Sequence, residues 1–433
     1  METRRIVAFA QQSKWGSIIS GVSFVLICIA TLTPGAPPPP PGSIPACRGW
    51  CDDPLLADFA RNIVLFMPLG FGLRLAGVRT RWAVLFGSAL SATVELLQIR
   101  VVVGRDASFL DWISNTIGTV LGVLAAVYLY SLLRPRPRTA ARLATCALGG
   151  WVFVLALGAW GIQPAPTGFA YWGERTPRLR TFPPFRGELR SGRVNGFEVP
   201  SGPLPNEDTV RKSLRAGRVR VDATVLSGPS TPPAEIAPIV RIADGTQREI
   251  LLLGRGGKEL VFRYRSRATA MRLEAPAFAL ARVFDSGSDG DEELLDPSES
   301  LSAVLDSGRL VLSARNQHRL RQLQFDLSPA VAWSFFVPWD EWLGPNTAFL
   351  STLWLGALLL PAGYWTRGAA RERKGRGRWI GLLALATVVA TIAVLPRIFG
   401  LPAAPASHYV AGIVGLGAGW ILAIFSSRSQ PAR

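Results

Sequence analysis

Seven polar residues stand where an apolar chain gives them little reason to be. Arg61 and Asn62, just after Asp58, open one hydrophobic run; Glu95 and Gln98 close the next; Asp111 and Asn115 open a third; and Arg105 lies between the last two. Glu95 and Gln98 are spaced i, i+3, and Asp111 and Asn115 i, i+4, so each pair shares a helix face. Polar groups next to apolar spans are costly and usually functional. Three chemistries fit. The carboxylates and arginines could neutralise one another in a structural ion-pair network. The two arginines could instead grip the phosphate of a polar headgroup bidentately, with the carboxylates orienting them or accepting hydroxyls. Thirdly, Glu95 and Asp111 could work as an acid/base pair. No nucleophile, histidine or metal-ligand set accompanies them, so the pattern leans away from an enzyme, and no metal or cofactor is expected.

These residues can converge only if the runs around them are membrane spans. The 433 residues are 49% hydrophobic and 18% charged, and the apolar residues gather in runs of about 20, the length that crosses a hydrocarbon core. Eight spans are expected: 15–33, 59–78, 82–99, 110–132, 143–162, 347–365, 379–396 and 408–425. The first reads as an uncleaved helix rather than a signal peptide, since no small-x-small site closes it. Tryptophans at span ends, among them Trp15, Trp82, Trp112, Trp151, Trp160 and Trp379, fit an aromatic belt. Gly118 and Gly122 form a G-x-x-x-G that favours close helix packing.

The net charge of +17 is not spread evenly. Residues 164–345 hold 24 Lys/Arg against 22 Asp/Glu, whereas the termini and the connections near 74–81, 134–142 and 367–378 hold 18 against 2. Basic charge packed into short loops beside spans is the positive-inside signature. It orients both termini toward the cytoplasm and puts the polar cluster at the outer face. A nucleic-acid partner, which would need a basic domain surface, is not expected.

Residues 164–345 contain no span. Arg218–Leu226 alternates as a strand. Glu249–Leu253 and Glu259–Arg265 flank a Gly-rich turn at 254–257, and 309–313 and 320–327 form another pair. Short strands with almost no helical periodicity predict an external β-sandwich. Asp285, Asp289, Asp291, Glu292 and Glu293 form an acidic loop, read as a solvated turn although such a loop could hold Ca²⁺. Cys47 and Cys51, expected outside, are disulfide candidates; Cys28 and Cys146 read as packing residues. His318 and His408, the only histidines, exclude a multi-histidine centre.

The stretch R-N-I-V-L-F-M-P-L-G at 61–70, with E-L-L-Q at 95–98 and R-D-A-S-F-L-D-W-I-S-N-T-I-G at 105–118, resembles the VanZ-like family of bacterial membrane proteins over about residues 15–135. The resemblance implies a cell-envelope role, named for low-level resistance to the glycopeptide teicoplanin, without a settled reaction. Residues 239–245, 249–254 and 260–265 resemble a laminin-G/concanavalin-type jelly roll, which implies glycan or protein binding.

The expected architecture is a helical transmembrane bundle with an inserted all-β sandwich. Residues 1–142 form a four-span VanZ-like domain, 143–163 a fifth helix, 164–345 the extracytoplasmic sandwich and 346–433 three further spans. The expected partners are the lipid bilayer of a bacterial cytoplasmic membrane and a lipid-linked envelope precursor or a glycan.

Overall fold

The structure is a computed structural model, and it describes residues 2–34, 55–102, 108–179, 182–229, 235–284, 298–316, 319–337, 343–344, 346–372 and 376–428. Among them eight helices are long and apolar enough to cross a membrane, each overlapping one of the eight expected spans. The described residues divide into two compact units, one built from residues 2–34 and 55–135 and the other from residues 136–428.

The first unit contains α1 (Glu2–Leu32), α2 (Leu55–Leu75), α3 (Thr80–Arg100) and α4 (Phe109–Leu133). Buried Ile27, Phe66 and Leu69 form a small apolar centre. The α2–α4 contact is closer than side chains would permit. A Cβ added at Gly118 would fall on the Ile63 carbonyl oxygen, one at Gly122 on that of Met67, and one at Gly70 on that of Thr119. The G-x-x-x-G therefore brings two backbones together, as it does where lipid gives helices no hydrophobic reason to associate. The outward faces carry exposed Val64, Leu85, Phe86, Ile99 and Tyr130. In water each would lose about 1.5–3 kcal/mol of burial free energy, a cost that an apolar solvent removes.

The second unit begins with α5 (Pro137–Gly161) and continues into the sandwich. Its strands are β1 (Tyr171–Arg175), β2 (Glu188–Val194), β3 (Phe197–Glu198), β4 (Gly202–Pro203), β5 (Arg218–Leu226), β6 (Ile236–Asp244), β7 (Glu249–Gly256), β8 (Glu259–Tyr264), β9 (Ala277–Leu280), β10 (Ser298–Asp306), β11 (Arg309–Arg315) and β12 (Leu320–Asp326). They form two antiparallel sheets, ordered β4-β1-β6-β7-β8-β9 and β12-β11-β10-β5-β2-β3. Alternate residues of β5 (Val219, Val221, Ala223, Val225) and β10 (Leu301, Ala303, Leu305) face a core shared with Ile242, Leu253, Phe262 and Phe278. The fully buried Tyr264 donates its hydroxyl to the Ile162 carbonyl at 2.7 Å, tying this core to the end of α5. Burial pushes that phenol well above its ordinary range.

Four details depart from expectation. Gly254 and Gly256 belong to β7, and the turn is confined to Gly257 and Lys258, since Gly256 pairs with Glu259. The sandwich also includes helices, α6 (Glu207–Arg215) and α7 (Arg267–Ala270). The sixth span is broken into α8 (Thr347–Ala357) and α9 (Leu360–Ala369), because Pro361 cannot donate to a helical hydrogen bond and its ring crowds the preceding turn. The fifth span starts at Pro137, whose fixed φ suits a first helical turn. The unit is completed by α10 (Arg376–Ile398) and α11 (Ala406–Arg428). Gly363, Gly415 and Gly419 allow close passage between α11 and the broken span, where added Cβ atoms would strike backbone carbonyls.

Candidate functional site

The candidate residues of the first unit come from the start of α2, the end of α3 and the start of α4, so antiparallel neighbours bring them to one end of the bundle. Asp58 and Arg61, one turn apart on α2, form an ion pair. Asn62 hydrogen-bonds the Asp111 carboxylate of α4. Asp111 in turn stands within electrostatic reach of both Asp58 and Glu95. Asp58 and Asp111 lie in the first turns of their helices, where the positive end of the helix dipole favours a carboxylate. Glu95 has no such support, since it precedes the C-terminal end of α3 by about a turn. It is held instead by the Ser108 backbone N–H, which donates to Oε2 at 2.7 Å.

Ser108 is the residue that sequence reasoning missed. It caps α4, its hydroxyl accepting from the Leu110 N–H at 3.2 Å. The signal was legible: Ser108 followed by Asp111 has the spacing of a capping box. The same residue thus starts α4 and fixes Glu95 beside Asp111.

Gln98 and Asn115 each make a hydrogen bond to a neighbouring helix. Gln98 Nε2 donates to the Thr31 carbonyl of α1 at 2.9 Å. Asn115 is buried one turn deeper than Asp111, with Nδ2 donating to Ser91 Oγ of α3 at 2.9 Å. Trp112 Nε1 likewise reaches Ser88 Oγ at 3.1 Å. The acceptor oxygens Gln98 Oε1 and Asn115 Oδ1 are buried and receive no hydrogen bond from the described residues. Arg105, the Cys47/Cys51 pair, the acidic loop at 285–293 and His318 lie outside the described residues. Cys28 and Cys146 are free thiols. Among the described residues no three His, Cys, Asp or Glu groups are arranged to hold a metal ion.

The described part of the site therefore gathers three half-buried carboxylates, of which Asp58 meets the Arg61 guanidinium, Asp111 the Asn62 amide and Glu95 the Ser108 N–H. Such a set can accept hydrogen bonds from hydroxyl, amide or ammonium groups of a ligand, and Arg61 can donate to an anionic oxygen.

Residues 11–133 match the family model described as VanZ/LLP1. This part of the chain is a VanZ-like domain, and it takes in all seven candidate residues. No curated protein and no solved structure matches the chain. With its eight apolar helices, the chain is a multi-pass membrane protein.

Proposed function

We propose that the VanZ-like domain binds the polar headgroup of a cell-envelope component at the outer face of the bacterial cytoplasmic membrane, a lipid-linked precursor being the best candidate. One observation carries the reading. Glu95 is a half-buried carboxylate without a helix-dipole reason for its position, held by the Ser108 amide next to Asp111. Asp58 pairs with Arg61, and Glu95 and Asp111 add two further carboxylates within electrostatic reach of each other at the same end of the bundle. Arg61 and Arg105 would contact phosphate, and Glu95 and Asp111 would accept sugar or peptide donors. The charge of the short loops supports cytoplasmic termini and an external sandwich over 164–345. In this reading the sandwich, with a concanavalin- or laminin-like role, presents the protein to a glycan or protein of the envelope.

The test is glycopeptide susceptibility in a sensitive bacterium producing wild type, Glu95→Gln or Asp111→Asn at matched levels. Protection against teicoplanin, read beside vancomycin, that both variants lose would support the reading. Equal protection by all three would remove the carboxylates from it. A second reading, acid/base catalysis on an envelope lipid, rests on the closeness of Glu95 and Asp111 and requires turnover whose pH profile moves in Glu95→Gln.

A further inference from the structure

A cavity of about 300 Å³ lies within the second unit, where the turns of the sandwich meet the ends of membrane helices. Ile162 directly follows α5, Phe399 directly follows α10, and Leu401 lies two residues further on; all three line it. Gln163 Nε2 donates to the Phe399 carbonyl at 2.9 Å, which joins the two span ends. The sandwich contributes Arg215 from the end of α6, Arg267 from the start of α7, and the β10–β11 turn at Ser307 and Gly308. Both turn residues have positive φ, 51° and 79°, as a two-residue hairpin turn of this twist demands. A Cβ at Gly308 would come 2.7 Å from Pro402 Cδ, so the hairpin tip is fitted against the α10–α11 connection. The cavity is bounded by segments locked to one another.

Its position and lining have a common chemical sense. The ends of two spans put it at headgroup depth in a bilayer. Trp160, in the last turn of α5, lies under the Arg267 guanidinium at 5.4 Å from ring centroid to Cζ, in the way that tryptophan marks the interface. No described carboxylate pairs with Arg215 or Arg267. Arg215 and Arg267 line the cavity together with apolar Leu305 and Leu327, a combination that suits a phosphate and the carbons attached to it.

We propose that this cavity binds the phosphate of an anionic phospholipid headgroup at the membrane surface. The site is separate from the VanZ-like domain and does not depend on its function.

The experiment uses the full-length protein in nanodiscs of phosphatidylcholine with increasing phosphatidylglycerol, counting retained lipid by native mass spectrometry. Wild type is expected to retain phosphatidylglycerol in preference to phosphatidylcholine. Arg215→Gln and Arg267→Gln should each lower that retention about tenfold, the loss of one charge-assisted contact. Lys212→Gln, on α6 but outside the cavity, should leave it unchanged. Arg215 is exposed, so its replacement spares the fold, and Arg267→Lys keeps a cation over Trp160 should Arg267→Gln prove unstable. Inorganic phosphate is the second probe. Phosphate binding that needs both arginines, without any lipid preference, would assign the site to a soluble phosphate and overturn the headgroup. Equal lipid retention by wild type and both arginine variants would overturn the site altogether.

Discussion

Glu95 and Glu174 are both shielded carboxylates, and what each touches separates their roles. Glu174 Oε2 lies 2.7 Å from Nη1 of Arg241, whose side chain is 1% exposed and also donates to the Gln247 carbonyl. This is a structural pair, and breaking it by Glu174→Ala should cost about 3–5 kcal/mol by removing a carboxylate that compensates a buried guanidinium. A drop in the unfolding midpoint of the purified protein, largely recovered in Glu174→Leu/Arg241→Met, is the expected result. A different carboxylate gives a pH signature. Burial raises the Glu259 carboxyl above its ordinary 4.5, so its ionised form is penalised in the folded state and not in the unfolded one. Stability is then lost as pH rises through the window above 4.5. Glu259→Gln should raise the unfolding midpoint at neutral pH, with the advantage fading below pH 4.5 in thermal melts. Glu95 and Asp111 were legible in the sequence because helical spacing alone gives each a face. Ser108 was hidden as a functional residue, since a capping serine has an ordinary structural reason to be present.

Elements divide in the same way. Spans were easy to read because about 20 apolar residues have few alternatives to a membrane helix. β5 was clear because its one buried face makes R-V-R-V-D-A-T-V-L alternate. β6 lacks that signal, since all nine of its residues are buried and the period of two disappears. Helix α6 is too short to show a long periodic pattern, although Val210 and Leu214, at i, i+4, are its buried face. The break between α8 and α9 was encoded in Pro361 and overlooked because hydropathy alone runs through it. Gly118, by contrast, signalled its packing role openly. Gly118→Val would put a side chain into the Ile63 carbonyl and separate α2 from α4. We expect it to destabilise the VanZ-like domain by a few kcal/mol, the scale of overpacking, and to expose the α2–α4 seam to protease. The sandwich should stay resistant, because the two units are separately compact.

For the whole molecule, the proposed membrane topology rests on charge placement. In a variant without the four native cysteines, Arg319→Cys in the sandwich should react with an impermeant maleimide in intact cells, and Arg136→Cys in the short basic connection should not. Labelling of position 136 alone would reverse the orientation and move the Glu95 cluster to the cytoplasmic face. Two proposed sites then remain to be separated, the carboxylate cluster of the VanZ-like domain and the arginine cavity beneath the sandwich, each removable without the other. The most direct measurement of the first is binding of a prenyl-diphosphate-linked disaccharide-peptide to the nanodisc-embedded protein, comparing wild type with Glu95→Gln and Asp111→Asn. Arg215→Gln serves as a control outside the domain. Saturable binding that weakens about tenfold or more in both carboxylate variants and persists in Arg215→Gln is the result predicted. Binding equal in wild type and both variants, at matched unfolding midpoints, would contradict the assignment of a headgroup site to Glu95 and Asp111.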